Sequence, residues 1–389
     1  MNPAEKRRLK IGIVCYPTTG GSGIVAVELA HALADRGHEV HVISYAVPVR
    51  LDTLRPNLRF HMVHVPDYPL FEYPPYSLAL AAQIAEVSCK YDLDVMHVHY
   101  AIPHAISGWL ARRICGRSNM PLITTLHGTD ITIIGKDKSY LPITRFSLEE
   151  SDLVTVVSSW LGEKVREVVK CSCPYEVVYN FVDPEVFKPR KNGEPRPFPT
   201  DPDVPVLMHM SNFRPVKRVQ DVVDTFLGLR ERMRAQLVMI GDGPDAAAAK
   251  NQLYASPYAD DVHFLGPQQN AEKLLPFADA FLFPSNAESF GLAALEAQAC
   301  GVPVIGYTAG GLPEVIEHDK TGFLCEVGSV DKMIDACEKL FRSPELQQAM
   351  AQAARERAST QFLLKPAVDR YQELYWQAMV KLESQSGAV

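Results

Sequence analysis

No run of apolar residues in this 389-residue chain approaches the roughly 18 needed to cross a bilayer. The first residues, MNPAEKRRLKIGIV, have basic side chains but no apolar core before a small-residue cleavage site, so they do not read as a signal peptide. Positive charge is also in short supply. Thirty-nine Lys and Arg face 46 Asp and Glu, a formal net charge of -7, which disfavours nucleic acid or an anionic membrane as a bulk partner. The eight cysteines are scattered, and Cys171-x-Cys173 lacks the spacing of a zinc site. Most of the eight sit in apolar patterns, where cysteine behaves as a small hydrophobe. No metal is expected, and a reducing cytoplasm is the simplest compartment.

What is present is an apolar fraction of 47%, enough for two cores of ordinary size. The first half alternates strand and helix: strand at 10–16, helix at 25–36 stopped by Gly37, then strands at 38–44, 94–100, 122–126 and 153–157. Such alternation predicts a parallel, doubly wound sheet. A stretch rich in proline and charge, DPEVFKPRKNGEPRPFPTDPDVP, reads as a linker. The pattern then restarts with VPVLMHM, AQLVMIG, DDVHFLG, DAFLFPS and GVPVIGY. The expected architecture is α/β, with two Rossmann-like, doubly wound domains facing a cleft. Its limits are 1–183, a linker at 184–205, 206–362, and a tail at 363–389 returning to the first domain. In that tail Tyr371 and Tyr375 share one helix face that packs onto the body.

Ligands of open α/β sheets sit beyond the carboxyl ends of the strands, so the residues there carry the functional signal. After the first strand comes PTTGGSGIVA, in which Gly21-x-Gly23-x-x-Ala26 has the form of a dinucleotide fingerprint. A dinucleotide site also needs an acid ending the second strand. HEVHVIS ends in Ser44-Tyr45-Ala46, and Glu39 lies at the wrong end. An oxidoreductase is therefore disfavoured, although a glycine-rich helix start still suits an anion.

The densest signal is NAESFGLAALEAQACGVPVIGYTAGGLPEVI, residues 286–316. Along a helix, Glu288 and Glu296 would stand ~12 Å apart, beyond the ~5–9.5 Å of a glycosidase carboxylate pair. They read instead as separate hydroxyl acceptors. Gly291 opens a helix whose first N–H groups have no internal partner, a seat for phosphate without a Walker lysine. His127-Gly-Thr-Asp130 ends another strand, and Ser211-Asn-Phe-Arg-Pro-Val-Lys-Arg218 supplies cations. His97-x-His99 reads as core or cleft lining.

Together, the glycine loop, HGTD, the basic motif, GDGP and E-x7-E resemble the retaining glycosyltransferases of family 4, which have the GT-B fold, over essentially the whole chain. The basic motif departs from the family pattern: Asn212 stands where arginine is expected, and Arg214 lies two residues late. The resemblance implies donor contacts at Gly21, Asn212, Arg214, Lys217, Gly241, Gly266, Glu288 and Glu296, and at the amides of Phe290, Gly291 and Leu292. His127, Lys217, Arg214 and Glu288 would be the catalytic set. Within the family, CYPTTGGSG, FEYPPYSLALA, HVHYAIPHA, TTLHGTDIT and VVYNFVD resemble the members that transfer N-acetylglucosamine from its UDP sugar to the hydroxyl of L-malate, the first step of bacillithiol biosynthesis. That resemblance implies retention at the anomeric carbon by front-face displacement, with no cofactor.

Malate is a dianion and needs donors and a cation. The candidates at strand ends are Gly21, Ser22, Gly23, Tyr100, Thr124, Thr125, Arg145 and Asn180, and Thr124 and Thr125 alternate so that one of the two should face the acceptor. Arg145 is the cation among them. Rival readings are a family 4 transferase with another acceptor, such as an inositol phosphate or a lipid-linked sugar, and an inactive nucleotide-sugar-binding module. Homo-oligomerisation is left open, and no stable membrane association is expected.

Overall fold

The computed structural model describes residues 7–386 except Thr19, Tyr68, Phe71 and Asn192. Thr19 of the glycine loop, Phe71 of FEYPPY and the first six residues therefore lie outside the described residues. The chain divides into two compact units, one of residues up to 180 together with those from 364 onward, the other of 181–363.

The first unit is built on a seven-stranded, all-parallel sheet. Its strands are β1 (Lys10–Val14), β2 (Glu39–Ser44), β3 (Leu58–Met62), β4 (Val95–His99), β5 (Leu122–Leu126), β6 (Leu153–Val156) and β7 (Tyr175–Val177), in the order β3-β2-β1-β4-β5-β6-β7. Helices cover both faces of such a sheet, which is why β4 and β5 are buried at every residue instead of alternating. The sequence pattern does not show β3 and β7, because these edge strands are short and half exposed.

The first helix spans Gly21–Asp35 and starts four residues before its apolar pattern does. Gly20 is its extended N-cap, with φ -71° and ψ 156°. Gly21, Ser22 and Gly23 thus form the helix's first turn. Gly23 has no room for a side chain, since a Cβ would stand 2.7 Å from the Thr18 carbonyl and 2.8 Å from that of Tyr16.

The last helix, Leu364–Ser386, belongs to this unit, as its aromatic face predicts. Tyr371 and Tyr375 are fully buried, and the Tyr375 hydroxyl lies 2.8 Å from His97 Nδ1.

The second unit carries a six-stranded parallel sheet of β8 (Val206–Ser211), β9 (Gln236–Gly241), β10 (Val262–Gly266), β11 (Ala280–Phe283), β12 (Val304–Tyr307) and β13 (Gly322–Cys325), in the order β10-β9-β8-β11-β12-β13. The segment 184–205, expected to be a linker, is packed into this unit. Phe187, Phe198 and Val204 are buried. Arg355 donates to the carbonyls of Phe187 and Pro184, and Arg196 to Asp279 and to the carbonyls of Asp201 and Val204. Its proline and charge reflect a polar strap tied down by arginines, not a free tether. Cys171 and Cys173 are joined as a disulfide, which the expectation of a uniformly reduced chain did not include. No described helix is long and apolar enough to cross a membrane.

Candidate active site

Each sheet reverses its strand order once, and the crevice at such a switch point is where ligands of these folds bind. In the second unit the switch lies between β8 and β11.

After β8 the chain turns sharply. Phe213 and Arg218 have positive φ, +39° and +48°, on either side of the short 3-10 turn Pro215–Lys217. Lys217 Nζ lies 2.7 Å from Glu288 Oε2 in the loop after β11, and 5.2 Å from the centre of the Phe283 ring. Asn286 N donates to Val216 O (3.0 Å), which knits the two loops together. Arg218 is tied to the buried Asp221 by two bonds, and Tyr307 donates a third to the same carboxylate.

Glycines allow this knitting. A Cβ on Gly310 (φ +62°) would stand 1.8 Å from the Glu288 carbonyl oxygen, and Gly311 N donates to that same oxygen at 2.8 Å. Gly241 (φ +122°) brings the loop after β9 equally close to Ser211 O.

Gly291, with φ +103°, is the N-cap of the helix Leu292–Ala299, and its Cα faces Leu312 and Glu288 Cγ. Glu296 is buried in that helix. Phe290 is buried too, its ring 5.6 Å from that of Phe362, so the side chain is core and its backbone is what it can offer a ligand. Asn212 and Arg214 are exposed beside the turn. Gly266 ends β10 toward the sheet edge with open space about it. The structure therefore gathers Lys217, Glu288 and Gly291 at one switch point, with Arg214 and Asn212 leading into it.

In the first unit the switch lies between β1 and β4. Here Tyr100 Oη donates to Ser22 Oγ at 2.9 Å, joining two of the candidates. Tyr100 has φ +89°, rare for a residue with a side chain, and its N–H is held by Thr125 O at 2.9 Å.

His127 follows β5. Its Nε2 lies 2.8 Å from His99 Nδ1, and its ring is 5.3 Å from that of Tyr100. Burial and the nearby His104 push the His127 pKa down to about 3, so its imidazole is neutral. The buried Asp130 accepts from Gly128 N at 2.9 Å and Ala101 N at 3.3 Å, which clamps the HGTD turn against the segment after β4. Burial pushes its carboxyl up to about 6, against the pull of those amides.

The remaining candidates are tied to other groups of the fold. Thr124 and Thr125 are both fully buried. Thr124 bonds Ser151 (2.8 Å), while Thr125 bonds Thr155 (2.6 Å) and His97 Nε2 (2.7 Å). Neither hydroxyl faces an acceptor, because in a parallel sheet both faces of a central strand are covered. Arg145, on the helix Leu141–Glu149, donates from Nε to Val169 O at 2.8 Å, so part of its guanidinium closes the end of the turn 165–169. Asn180 is buried at the end of the unit.

His104, beside Tyr16, is missing from the sequence-based set, and His99, read there as core or cleft lining, lies beside His127, because in the β4–β5 register it pairs with Thr125.

Residues 19–186 match Glycosyltransferase Family 4, and residues 191–357 match Glycosyl transferases group 1. The chain is 45% identical over 373 residues to the N-acetyl-alpha-D-glucosaminyl L-malate synthase of Bacillus anthracis, covering 96% of this chain and 98% of that one. It is 30% identical to the D-inositol 3-phosphate glycosyltransferase of Actinosynnema mirum, over 85% and 86% of the two chains. In fold it is similar to a glycosyltransferase from Rickettsia africae, with TM-score 0.80, 21% identity and 96% and 99% coverage. Two parallel Rossmann-like sheets, the two family matches and 45% identity over nearly the whole length of a known member place this chain in the family 4 glycosyltransferases of GT-B fold.

Proposed function

We propose that the enzyme transfers N-acetylglucosamine from UDP-N-acetylglucosamine to the hydroxyl of L-malate, with retention and without a metal, as the first step of bacillithiol biosynthesis. The observation that carries this reading is the 45% identity to the malate synthase over nearly both whole chains.

In the proposed reaction the malate hydroxyl forms a bond to the anomeric carbon on the face from which UDP leaves. The bond from that carbon to the β-phosphate oxygen breaks, and a phosphate oxygen takes the hydroxyl proton. Negative charge grows on the diphosphate as the bond breaks. Lys217 and Arg214, with the amides of Phe290, Gly291 and Leu292 at the helix start, would offset it. Lys217 is already held in place by Glu288. Asn212, Gly241 and Gly266 would be further donor contacts, Gly266 from the edge strand β10.

Glu288 and Glu296 would accept from sugar and ribose hydroxyls, and His127 would meet the transferred sugar. On the first unit Gly21, Ser22 and Gly23 form a helix's first turn; Gly23 N donates to Gly20 O, and the N–H groups of Gly21 and Ser22 suit a malate carboxylate, with Tyr100 orienting Ser22.

Measuring UDP release with L-malate, D-malate, an inositol phosphate and water as acceptors tests this reading. Release dependent on L-malate supports it. Release with inositol phosphate instead would align the enzyme with its inositol-phosphate-using relatives and overturn the malate assignment.

A further inference from the structure

Four histidine rings gather in the first unit. His97 and His99 lie on the same face of β4 with rings stacked 4.6 Å apart, His104 follows on the turn Ala101–Ala105, and His127 follows β5. His104 Nδ1 points at the His99 carbonyl oxygen, which only accepts, so His104 carries its hydrogen on Nδ1. His97 is committed at both nitrogens, to Tyr375 and Thr125. His99 is fully buried and has one partner, His127 Nε2 at 2.8 Å; its own Nε2 is buried with no hydrogen-bond partner.

Burial holds all four rings neutral, aided by neighbouring histidines at His97, His99 and His127: His97 and His127 at about 3, His104 at about 4 against the pull of the His99 carbonyl, and His99 well below its usual value. Two neutral imidazoles share one hydrogen across their contact, so there are two arrangements. If His127 donates from Nε2, the His99 hydrogen sits on Nε2, a buried N–H with no acceptor. If His99 donates from Nδ1, its Nε2 keeps only a bare lone pair, and the His127 hydrogen sits on Nδ1. Orphaned buried N–H groups are rarer than under-used acceptors, which selects the second arrangement.

We propose that His99 is a positioning residue for His127, holding its ring and fixing its hydrogen on Nδ1, so that His127 presents an N–H donor to an oxygen of the transferred sugar. The last step rests on the assignment of His127 to the sugar made above; the tautomer does not. A reversed tautomer would present a lone pair at the same place and favour a hydroxyl that donates. The Nδ1–H form instead favours an oxygen free to accept, and the hydrogen bond between the two rings removes the alternative orientation.

The direct test is a long-range 1H–15N correlation spectrum of the whole enzyme labelled with 15N-histidine, with the His127 ring assigned by loss of its signals in His127→Gln. The expected pattern is a protonated nitrogen at Nδ1 and an unprotonated one at Nε2. The reverse pattern, or two averaged shifts, overturns the proposal. The experiment needs neither substrate, so failure of malate transfer with this pattern present would count against the malate reading alone.

Two variants extend the test. His99→Asn keeps an amide donor near the Nδ1 position and should hold both the His127 pattern and turnover within about threefold. His99→Leu removes the donor and should average the His127 shifts and lower kcat/KM for the nucleotide sugar about tenfold, the loss of one hydrogen bond, with the acceptor KM unchanged. Equal loss in both variants, with the His127 pattern unaltered, would make His99 a packing residue only and overturn the proposal.

Discussion

Lys217 and Glu288 stand 2.7 Å apart with side chains mostly withdrawn from solvent, 20% and 16% exposed. In the proposed reaction an ammonium held in this way would be a preformed counter-charge for the leaving diphosphate. Removing one such preorganised group costs about 10²–10³ in turnover, and Lys217→Ala is expected to fall in that range when UDP release is followed. Glycines nearby make a subtler prediction. Gly310→Ala would place a methyl 1.8 Å from the Glu288 carbonyl and strain a backbone at φ +62°. The loop must then shift, and a misplacement near 1 Å can cost about 100-fold. Turnover should drop to that extent while circular dichroism shows the fold intact; an unchanged rate would show that Glu288 does not need its present position. At this scale the sequence was a good guide to position: Lys217, Glu288, Ser22 and Tyr100 lie beyond strand ends, as read, and beside the switch points of their own sheets. It misled at Thr124 and Thr125, since period-2 alternation tells which face a side chain takes but not that both faces are covered.

At the level of elements, the start of the first helix matters most. Apolar periodicity begins at Val25, and three small residues before it carry no pattern, so the sequence alone places the helix start too late. Gly20 as an extended N-cap lets the helix begin at Gly21, and Gly21, Ser22 and Gly23 become its first turn. The final helix was legible, because two tyrosines at i and i+4 mark a buried face. What sequence could not supply was the partner of Tyr375, His97, which lies 278 residues earlier. Tyr375→Phe leaves the His97 Nδ1 without its partner in a fully buried site. An unsatisfied buried group costs about 1–3 kcal/mol, and for a body of this size each kcal/mol lowers Tm by about 2–4 °C. A Tm drop of several degrees by scanning calorimetry is expected, and an unchanged Tm would show that the bond contributes little.

For the molecule as a whole, the two units carry unequal acid liabilities. Burial or nearby cations lower the pKa of His31, His38, His41, His61, His97, His99, His104 and His127 in the first unit, but only of His209 and His263 in the second. A histidine kept neutral by folding binds its proton more readily in the unfolded chain. Its stabilising contribution is complete above about pH 6.5 and is lost as pH falls from there toward the folded value, near 3 to 4 for His97 and His104. Each such fully buried ring contributes a slope of about 1.4 kcal/mol per pH unit across that window. Asp130 acts in the opposite direction. Its folded pKa of about 6 exceeds the usual 3.8, so between those values the folded form takes up the proton first and regains stability as pH falls, offsetting roughly one histidine. The balance still leaves the first unit the more acid-labile. Urea unfolding at pH 7.5 and pH 5.0, followed by hydrogen exchange resolved to peptides of each unit, should show a much larger loss of protection in residues up to 180 and from 364 onward than in 181–363. Equal losses would mean that the histidines of β4 and the HGTD turn are hydrated, and would remove the low-dielectric setting on which a neutral His127 depends.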